Sequence, residues 1–376
     1  MMKRRFTLLL LVPLICTSMH AYVPIFYSRG WGYYPDAVMD IEHDAQHIYL
    51  AKGDGLVIIN KTTGEQTVYS ISQGTLAYTP ISLAMHGDEL WIGTVEEKVL
   101  CYSNGSIQTY DWGIIGPVTN IVFDTKGSMY LSSIAGTGYR INISTKTVEE
   151  QIETFNKLSG GVTGHLCIDG NDALWIGNYF GTVMKKYGLA KYTQDEGTQY
   201  MINDHPEWHG YYVSSLAVDD EGCIWYATYG NSEAGLWLSK IQNDEVVVAY
   251  EYPYDGWDMM FDRQQRLWML GRNGPLVMMK DGEFSCYNCM EESNIWTSID
   301  IDGDAIYIGT DKGVLKYENN DFTILDVEVG VPSGITPSAK YGSDVKSSAV
   351  YDMQGRLIGK PEKGVYIQNG KKFVNK

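Results

Sequence analysis

No segment of this 376-residue sequence sustains the 3.6-residue apolar period of an amphipathic helix, so helices should be few. Long apolar runs are scarce as well. After residue 21 no stretch approaches the roughly 18 apolar residues of a membrane-spanning helix. Positive charge is in short supply: 29 Lys and Arg face 46 Asp and Glu, for a net charge of −17. The deficit is concentrated in the body of the chain. Residues 1–21 hold three basic and no acidic side chains, and residues 338–376 hold eight basic against three acidic, which leaves −25 for 22–337. A body that acidic repels phosphate backbones and has no basic stripe, so nucleic acid is excluded as an expected partner, whereas divalent cations or neutral ligands are compatible. Gly-x-Ser-x-Gly elbows, P-loops and EF-hand loops are also missing, and with them the standard hydrolase, nucleotide and calcium motifs. Only one Cys-x-x-Cys occurs, at Cys286 and Cys289, with no second pair and no nearby His. A four-ligand zinc site has no support, and no metal or cofactor is expected.

The amino terminus sets the compartment. Lys3-Arg4-Arg5 is followed by an apolar run from Phe6 to Cys16 and then by small and polar residues ending at Ala21. This is the pattern of a secretory signal peptide, 1–21, with cleavage expected after Ala21. Lipidation at Cys16 is disfavoured, because Pro13-Leu14-Ile15 lacks the small residue expected beside a lipidated cysteine. Setting Cys16 aside leaves five cysteines, an odd number for an exported protein, so full pairing is impossible. Cys286 and Cys289 are close enough in sequence for a local disulfide. Cys101, Cys167 and Cys223 sit in or beside apolar runs and read as small core residues.

What the sequence does have is a repeat. An aliphatic residue, Trp or Tyr, and another apolar residue recur seven times, usually followed by Gly or Ala, with the aromatic at Tyr49, Trp91, Tyr130, Trp175, Trp225, Trp268 and Tyr307. The spacings are 42, 39, 45, 50, 43 and 39, a mean of 43, the period of a four-stranded propeller blade. Before the aromatic strand comes a short apolar one, such as Asn120-Ile121-Val122-Phe123, joined to it by a turn such as Asp124 to Gly127 or Asp219 to Gly222. Asp closes such a turn by accepting backbone N–H groups, and Gly takes the positive φ. A third strand opens on Gly, as at Gly55 or Gly313, and a more polar fourth strand follows. The expected fold is all-β: a seven-bladed β-propeller over 22–328, a linker over 329–340, and a short C-terminal β tail over 341–376. The repeated aromatics are expected to be core.

Leu90-Trp91-Ile92-Gly93-Thr94, and Ile306 to Thr310 followed by Gly313-Val314, resemble the bacterial two-component regulator propeller repeats. That resemblance implies an exported ligand-sensing module for polysaccharide fragments. The second propeller, transmembrane helix and kinase of that family are absent from this sequence, so signalling by this chain alone is not expected. The strand pattern is also similar to that of the streptogramin (virginiamycin B) lyases. In the tail, Tyr351-Asp352-Met353-Gln354-Gly355-Arg356 and Gly364-Val365-Tyr366-Ile367, with a final Lys cluster, resemble a shortened type IX (Por) secretion sorting domain. This resemblance implies passage to the periplasm, cell surface or exterior of a gram-negative bacterium. An accessory hairpin around Asn369-Gly370 is the other reading.

Propeller ligands bind where loops converge over the central channel. Mapping the repeat places Trp112, Tyr179, Phe180, Trp208, Tyr211, Tyr229, Trp257 and Trp296 in such loops, where flat rings can stack on sugars, or else plug blade junctions. These aromatics make a glycan or a protein the expected partner. The longest repeat spacing carries His205, Glu207 and His209, candidates for acid–base chemistry, with His165 the other His near enough to join them. Pro206 argues against a helical His pair there. Glu96, Glu97, Glu233, Asp255 and Asp311 fall in the same set of loops.

Overall fold

The computed structural model describes residues 36–133, 137–152, 162–180, 188–200, 212–229, 236–251, 256–271, 276–287, 296–327, 350–351, 357–358, 364–368 and 371–375. Every regular element among them is a strand. The chain divides into two compact units, Met1–Val331 and Pro332–Lys376.

The first unit contains seven four-stranded antiparallel sheets, each made of four consecutive strands in sequence order. They span 38–70, 80–110, 118–152, 162–200, 212–251, 256–287 and 296–325, and are called blades 1 to 7. The first strands of successive blades are neighbours all the way round, and that of blade 7, Trp296–Asp302, returns to that of blade 1, Val38–His43. The result is a closed seven-bladed β-propeller in which no blade is shared between the two ends of the chain. Among the described residues the buried core falls into seven clusters, each between two neighbouring blades. Both faces of each sheet are therefore covered, which is why the second strands, such as Glu89–Thr94 and Ala305–Thr310, are apolar on both sides. All seven repeat aromatics are buried in these second strands.

The Gly that ends Leu-Trp-Ile-Gly has a packing reason. A Cβ on Gly93 would collide with Val118 of blade 3; one on Gly177 would stand 2.9 Å from Val213 Cγ1 of blade 5; one on Gly309 would stand 3.2 Å from Val38 Cγ1 of blade 1. In each case the inner strand of the next blade presses a valine against the missing side chain.

The turn between first and second strands is built on Asp in blades 3 to 6. Asp124, Asp169, Asp219 and Asp262 each accept the backbone N–H groups two and four residues on through one oxygen. The other oxygen takes the repeat aromatic: Trp175 Nε1 donates to Asp169 at 2.8 Å, Trp225 to Asp219 at 3.0 Å, Trp268 to Asp262 at 2.8 Å, and the Tyr130 hydroxyl to Asp124 at 3.3 Å. Adjacent turns are tied together by Thr125 to Asp172, Gly170 to Gly222 and Asp220 to Gln265. Gly222, at φ +76°, lies so close to Gly170 that a Cβ would stand 2.6 Å from its Cα. Blade 2 turns instead through Gly87-Asp88, too short to hold such an Asp. Trp91, 0% exposed, keeps an indole N–H with no partner, and the Lys146 ammonium sits 4.3 Å over its ring.

In the second unit one sheet runs in the order Leu357–Ile358, Val350–Tyr351, Gly364–Gln368, Lys371–Asn375. Its last two strands pair with Gln368 opposite Lys371.

Candidate functional site

Each of the seven inner strands slips register against its second strand at about the same level. A bulge of this kind twists a strand and re-aims its side chains. Just after the slip stand Asp40, Ser82, Asn120, Ser215 and Asp258, opposite the residue two after the repeat aromatic, while the longer slips of blades 4 and 7 contain His165 and Ser298. Every blade thus places one polar residue at the same level; of these Ser82, Ser215 and Ser298 are buried, and Ser82 donates its hydroxyl to the Val118 carbonyl of blade 3. His165 Nδ1 lies 3.9 Å from Asp258 Oδ1. Blades 4 and 6 flank blade 5, so these two side chains meet past its inner strand.

Blades 6, 7 and 1 make the ring acidic. Asp258 accepts the N–H of Met259 at 2.9 Å and, from blade 7, of Ile299 at 3.0 Å. Asp40 accepts the N–H of Ile41 at 2.9 Å and, from blade 2, of Leu83 at 2.7 Å. Asp300 accepts the N–H of Ile301 at 2.9 Å, and its other oxygen lies 2.7 Å from His43 Nδ1 of blade 1. An innermost strand has a free edge whose N–H groups have no strand partner, and Asp258 and Asp40 satisfy the edge of the next blade. Burial pushes the Asp40 carboxyl up to about 8 against the bonds from Leu83 and Ile41, with Asp258 and Asp300 adding to the rise. Burial, then Asp300 and Asp40, push Glu42 well above the usual carboxylate range. Asp258 is raised by burial, although His165 and two backbone N–H groups oppose the rise. His43 is raised by its bond to Asp300. Groups of this kind can hold a proton, bond hydroxyls or meet a cation.

The residues singled out from the sequence fare differently. Trp296 opens the inner strand of blade 7 and is 7% exposed, packed between blades 6 and 7, so it is a core residue and offers no open face. Trp112 is half-buried, stacks on Tyr110 at 4.9 Å and on Trp91 at 6.2 Å, and donates Nε1 to the Lys146 carbonyl at 3.0 Å. It closes the junction of blades 2 and 3. Tyr179 and Phe180, Tyr229, and Trp257 belong to the strands Leu174–Phe180, Ile224–Tyr229 and Gly256–Phe261 rather than to loops. Trp208, Tyr211, His205, Glu207 and His209 lie outside the described residues, as do Glu233 and Asp255. Glu96 accepts the Thr79 N–H and hydroxyl, and Glu97 accepts the Gly116 N–H, so both pin loops. Cys101, Cys167 and Cys223 are buried free thiols; Cys286 is exposed on the outer strand of blade 6, and Cys289 is outside the described residues.

Among the described residues one trio has metal-ligand spacing, Asp219, Glu221 and Cys223. The Lys240 ammonium bonds both carboxylates, at 2.7 and 2.8 Å, and occupies the place of a cation there. Asp40, Glu42, Asp258 and Asp300 were not singled out from the sequence. The signal is present at the repeat period: the residue just before the first-strand aliphatic is Asp40, Ser82, Asn120, His165, Ser215, Asp258 and Ser298.

No family model matches this chain, and no curated protein matches it in sequence. Solved structures do. Virginiamycin B lyase from Staphylococcus aureus is 14% identical over 75% of this chain and 94% of its own, with a TM-score of 0.61. The WD40 β-propeller domain of Doa1 is 13% identical over 75% of this chain and 93% of its own, with a TM-score of 0.59. PorZ, an essential bacterial surface component of the type IX secretion system of Porphyromonas gingivalis, is 13% identical over 75% of this chain and 46% of its own, with a TM-score of 0.57. At such identities the likeness is one of fold. No helix among the described residues is long and apolar enough to cross a membrane.

Proposed function

We propose that this chain is an exported propeller binding module that recognises a glycan or a protein partner on the loop face over its channel, and that it does not signal by itself. The observation that carries the reading is the polar ring: seven blades each place one polar residue at one level around the axis, and blades 6, 7 and 1 make one side of it acidic. Hydroxyl-rich ligands suit such a ring, since its carboxyl, amide, imidazole and hydroxyl groups offer both donors and acceptors. Tyr179, Trp208, Tyr211, Tyr229 and Trp257 remain the proposed aromatic contacts; Trp112 and Trp296 do not. Thermal unfolding of the full chain against a panel of soluble oligosaccharides and polysaccharides tests this, because a ligand at about 100 times its Kd adds roughly 2.7 kcal/mol. A shift with one glycan class that disappears in Trp257→Ala and Asp258→Asn supports a glycan; no shift, with recovery of one stoichiometric protein from the cell envelope, supports a protein partner. No shift with any glycan and no partner recovered from the envelope would overturn the module.

A lyase is the second reading, favoured by the meeting of His165 and Asp258 past the inner strand of blade 5 and by the likeness to virginiamycin B lyase. His205, Glu207 and His209 are its other candidates. Turnover of a streptogramin or uronate polysaccharide that vanishes in His165→Ala would establish it; no turnover of either would end it. For export, the signal-like residues 1–21 and the resemblance of the tail to sorting domains agree with a PorZ-like neighbour and support passage by type IX secretion. Deleting 341–376 should then hold the protein in the periplasm, and unchanged surface display would overturn that route.

A further inference from the structure

The ring closes between blades 7 and 1 without a shared strand, so side chains must hold the junction. Apolar packing supplies part of this, through Val38, Ile41, Tyr307 and Val314. The polar part is unlike that of any other junction. His43 of blade 1 has Nδ1 2.7 Å from Asp300 Oδ2 and Nε2 3.7 Å from Asp302 Oδ1, both on the inner strand of blade 7. Lys61 of blade 1 reaches Asp302 at 2.5 Å, and Thr297 of blade 7 donates its hydroxyl to the Val38 carbonyl at 2.5 Å. No other pair of neighbouring blades joins an imidazole to a carboxylate among the described residues.

We propose that this junction is a proton-operated clasp, in which His43 bridges Asp300 and Asp302 as an imidazolium and holds the ring shut in mildly acidic surroundings, and in which loss of that proton loosens blade 7 from blade 1. A neutral imidazole can bond Asp300 through one N–H but carries no charge for Asp302; the imidazolium bonds Asp300 and also attracts Asp302 at 3.7 Å. The Asp300 side chain is 4% exposed and that of His43 25%, so solvent screens the pair only in part. The charges around His43 come from every neighbouring element. Asp300 and Asp302 face it from blade 7, Asp40 and Glu42 share its strand, Asp44 begins its turn, and Asp258 lies across on blade 6. Lys61, and Arg263 acting on Asp302, are the cations on the other side of the balance. From blade 2 the approach is by backbone, the N–H groups of Leu83 and Met85 on Asp40 and Glu42. Carboxylates outnumber cations, and the proton is held.

The sign follows from linkage. A His raised in the folded state contributes stability that is complete below its unfolded value, about 6.5, and is lost as pH rises through the folded one. Asp40, Glu42 and Asp258, also raised, push in the same direction. Amide hydrogen exchange of the full chain from about pH 5.5 to 8.5, corrected for intrinsic rates, reads the clasp directly. Protection of Val38–His43 and Trp296–Asp302 should fall about tenfold for each pH unit over which His43 titrates above its unfolded value, relative to the inner strands of blades 3 and 4. His43→Lys, which keeps a cation at every pH in this range, should hold the junction shut, and His43→Gln should leave it more open; both should lose the His43 part of the pH dependence and keep only the shallower fall owed to Asp40, Glu42 and Asp258. Equal pH dependence at the junction and in blades 3 and 4 would overturn the proposal, as would a His43→Lys profile that matches the wild type. Should His43→Gln fail to fold, the other two proteins still decide.

Discussion

The turn rim of blades 3 to 6 and the channel of blades 6, 7 and 1 are both built on aspartate, with opposite results. At the rim Asp219 and Asp262 are partly buried, yet their carboxyls lie below the usual range, because an indole, a cation and backbone N–H groups all donate to the charged form. In the channel Asp40, Glu42 and Asp258 receive backbone N–H groups too, but they also face one another, and burial wins. The rim binds each turn to its own blade and to the next. The channel stores protons and like charge. Residue type is the same in both places; what differs is whether the donors around a carboxylate outnumber the carboxylates.

The sharpest way to break this contrast is to remove one aspartate from each region. Asp262→Ala strips the turn of blade 6 of the acceptor for two backbone N–H groups, of the Trp268 bond and of the Arg266 ion pair, so it should cost about 3 kcal/mol. Asp258→Asn keeps the shape and one acceptor while removing a charge, and near neutrality it should stabilise or leave stability unchanged. Urea unfolding of the two variants at one pH tests the pair. A loss for Asp258→Asn as large as that for Asp262→Ala would mean that the channel carboxylates are structural ion-pair partners like those of the rim.

Much of the rim could be read from the chain. Each of blades 3 to 6 repeats Asp, turn and aromatic within a dozen residues, so the local pattern is also the structure, and the Asp that accepts the N–H groups of its own turn is local chemistry. The second use of that Asp, as acceptor for an indole six residues on, was not anticipated because it depends on how the second strand folds back. The channel was legible only in part. His165 stood out, but Asp40, Asp258 and Asp300 are single polar residues in apolar strands, and their meaning appears only when blades far apart in sequence are brought round one axis. Trp296 and Trp112 misled for a related reason: near a strand end, hydropathy does not tell a ring that plugs a junction from one that faces solvent.

A pH profile of thermal stability should separate the two regions within one protein. The depressed rim carboxyls contribute stability that is present above their unfolded range, about 3.9, and lost as pH falls through their folded values. Channel carboxyls do the reverse. Asp40 keeps its proton in the folded state up to about 8 while the unfolded chain releases it near 3.8, so stability declines as pH rises across that interval and then levels. The maximum should therefore fall on the acid side of neutrality. In Asp258→Asn the alkaline limb should flatten while the acid limb stays put; a change confined to the acid limb would assign the titration to the wrong region.

The smallest effect offers the finest discrimination, because it sits inside the rim itself. Trp175 and Trp91 occupy the same position in blades 4 and 2 and are equally buried, but Trp175 donates to Asp169 whereas the Trp91 indole N–H has no partner. Replacing Trp175 by Phe removes ring area and leaves an Asp169 oxygen without its donor, at a cost of roughly 2 to 3 kcal/mol. In Trp91→Phe the same area is lost, together with part of the attraction of the Lys146 ammonium for the ring. An unpartnered buried donor is removed as well, which offsets roughly 1 to 3 kcal/mol. The net change should lie within about 1 kcal/mol of zero. Equal destabilisation by the two substitutions in urea would show that the Asp–indole bond contributes little, and that the rim owes its stability to the backbone bonds of its turns. A Trp91→Phe value near zero beside a clear loss for Trp175→Phe would assign that margin to the aspartate, and would explain why blade 2, turning through two residues, surrounds its tryptophan with Lys146, Tyr110 and Trp112 instead.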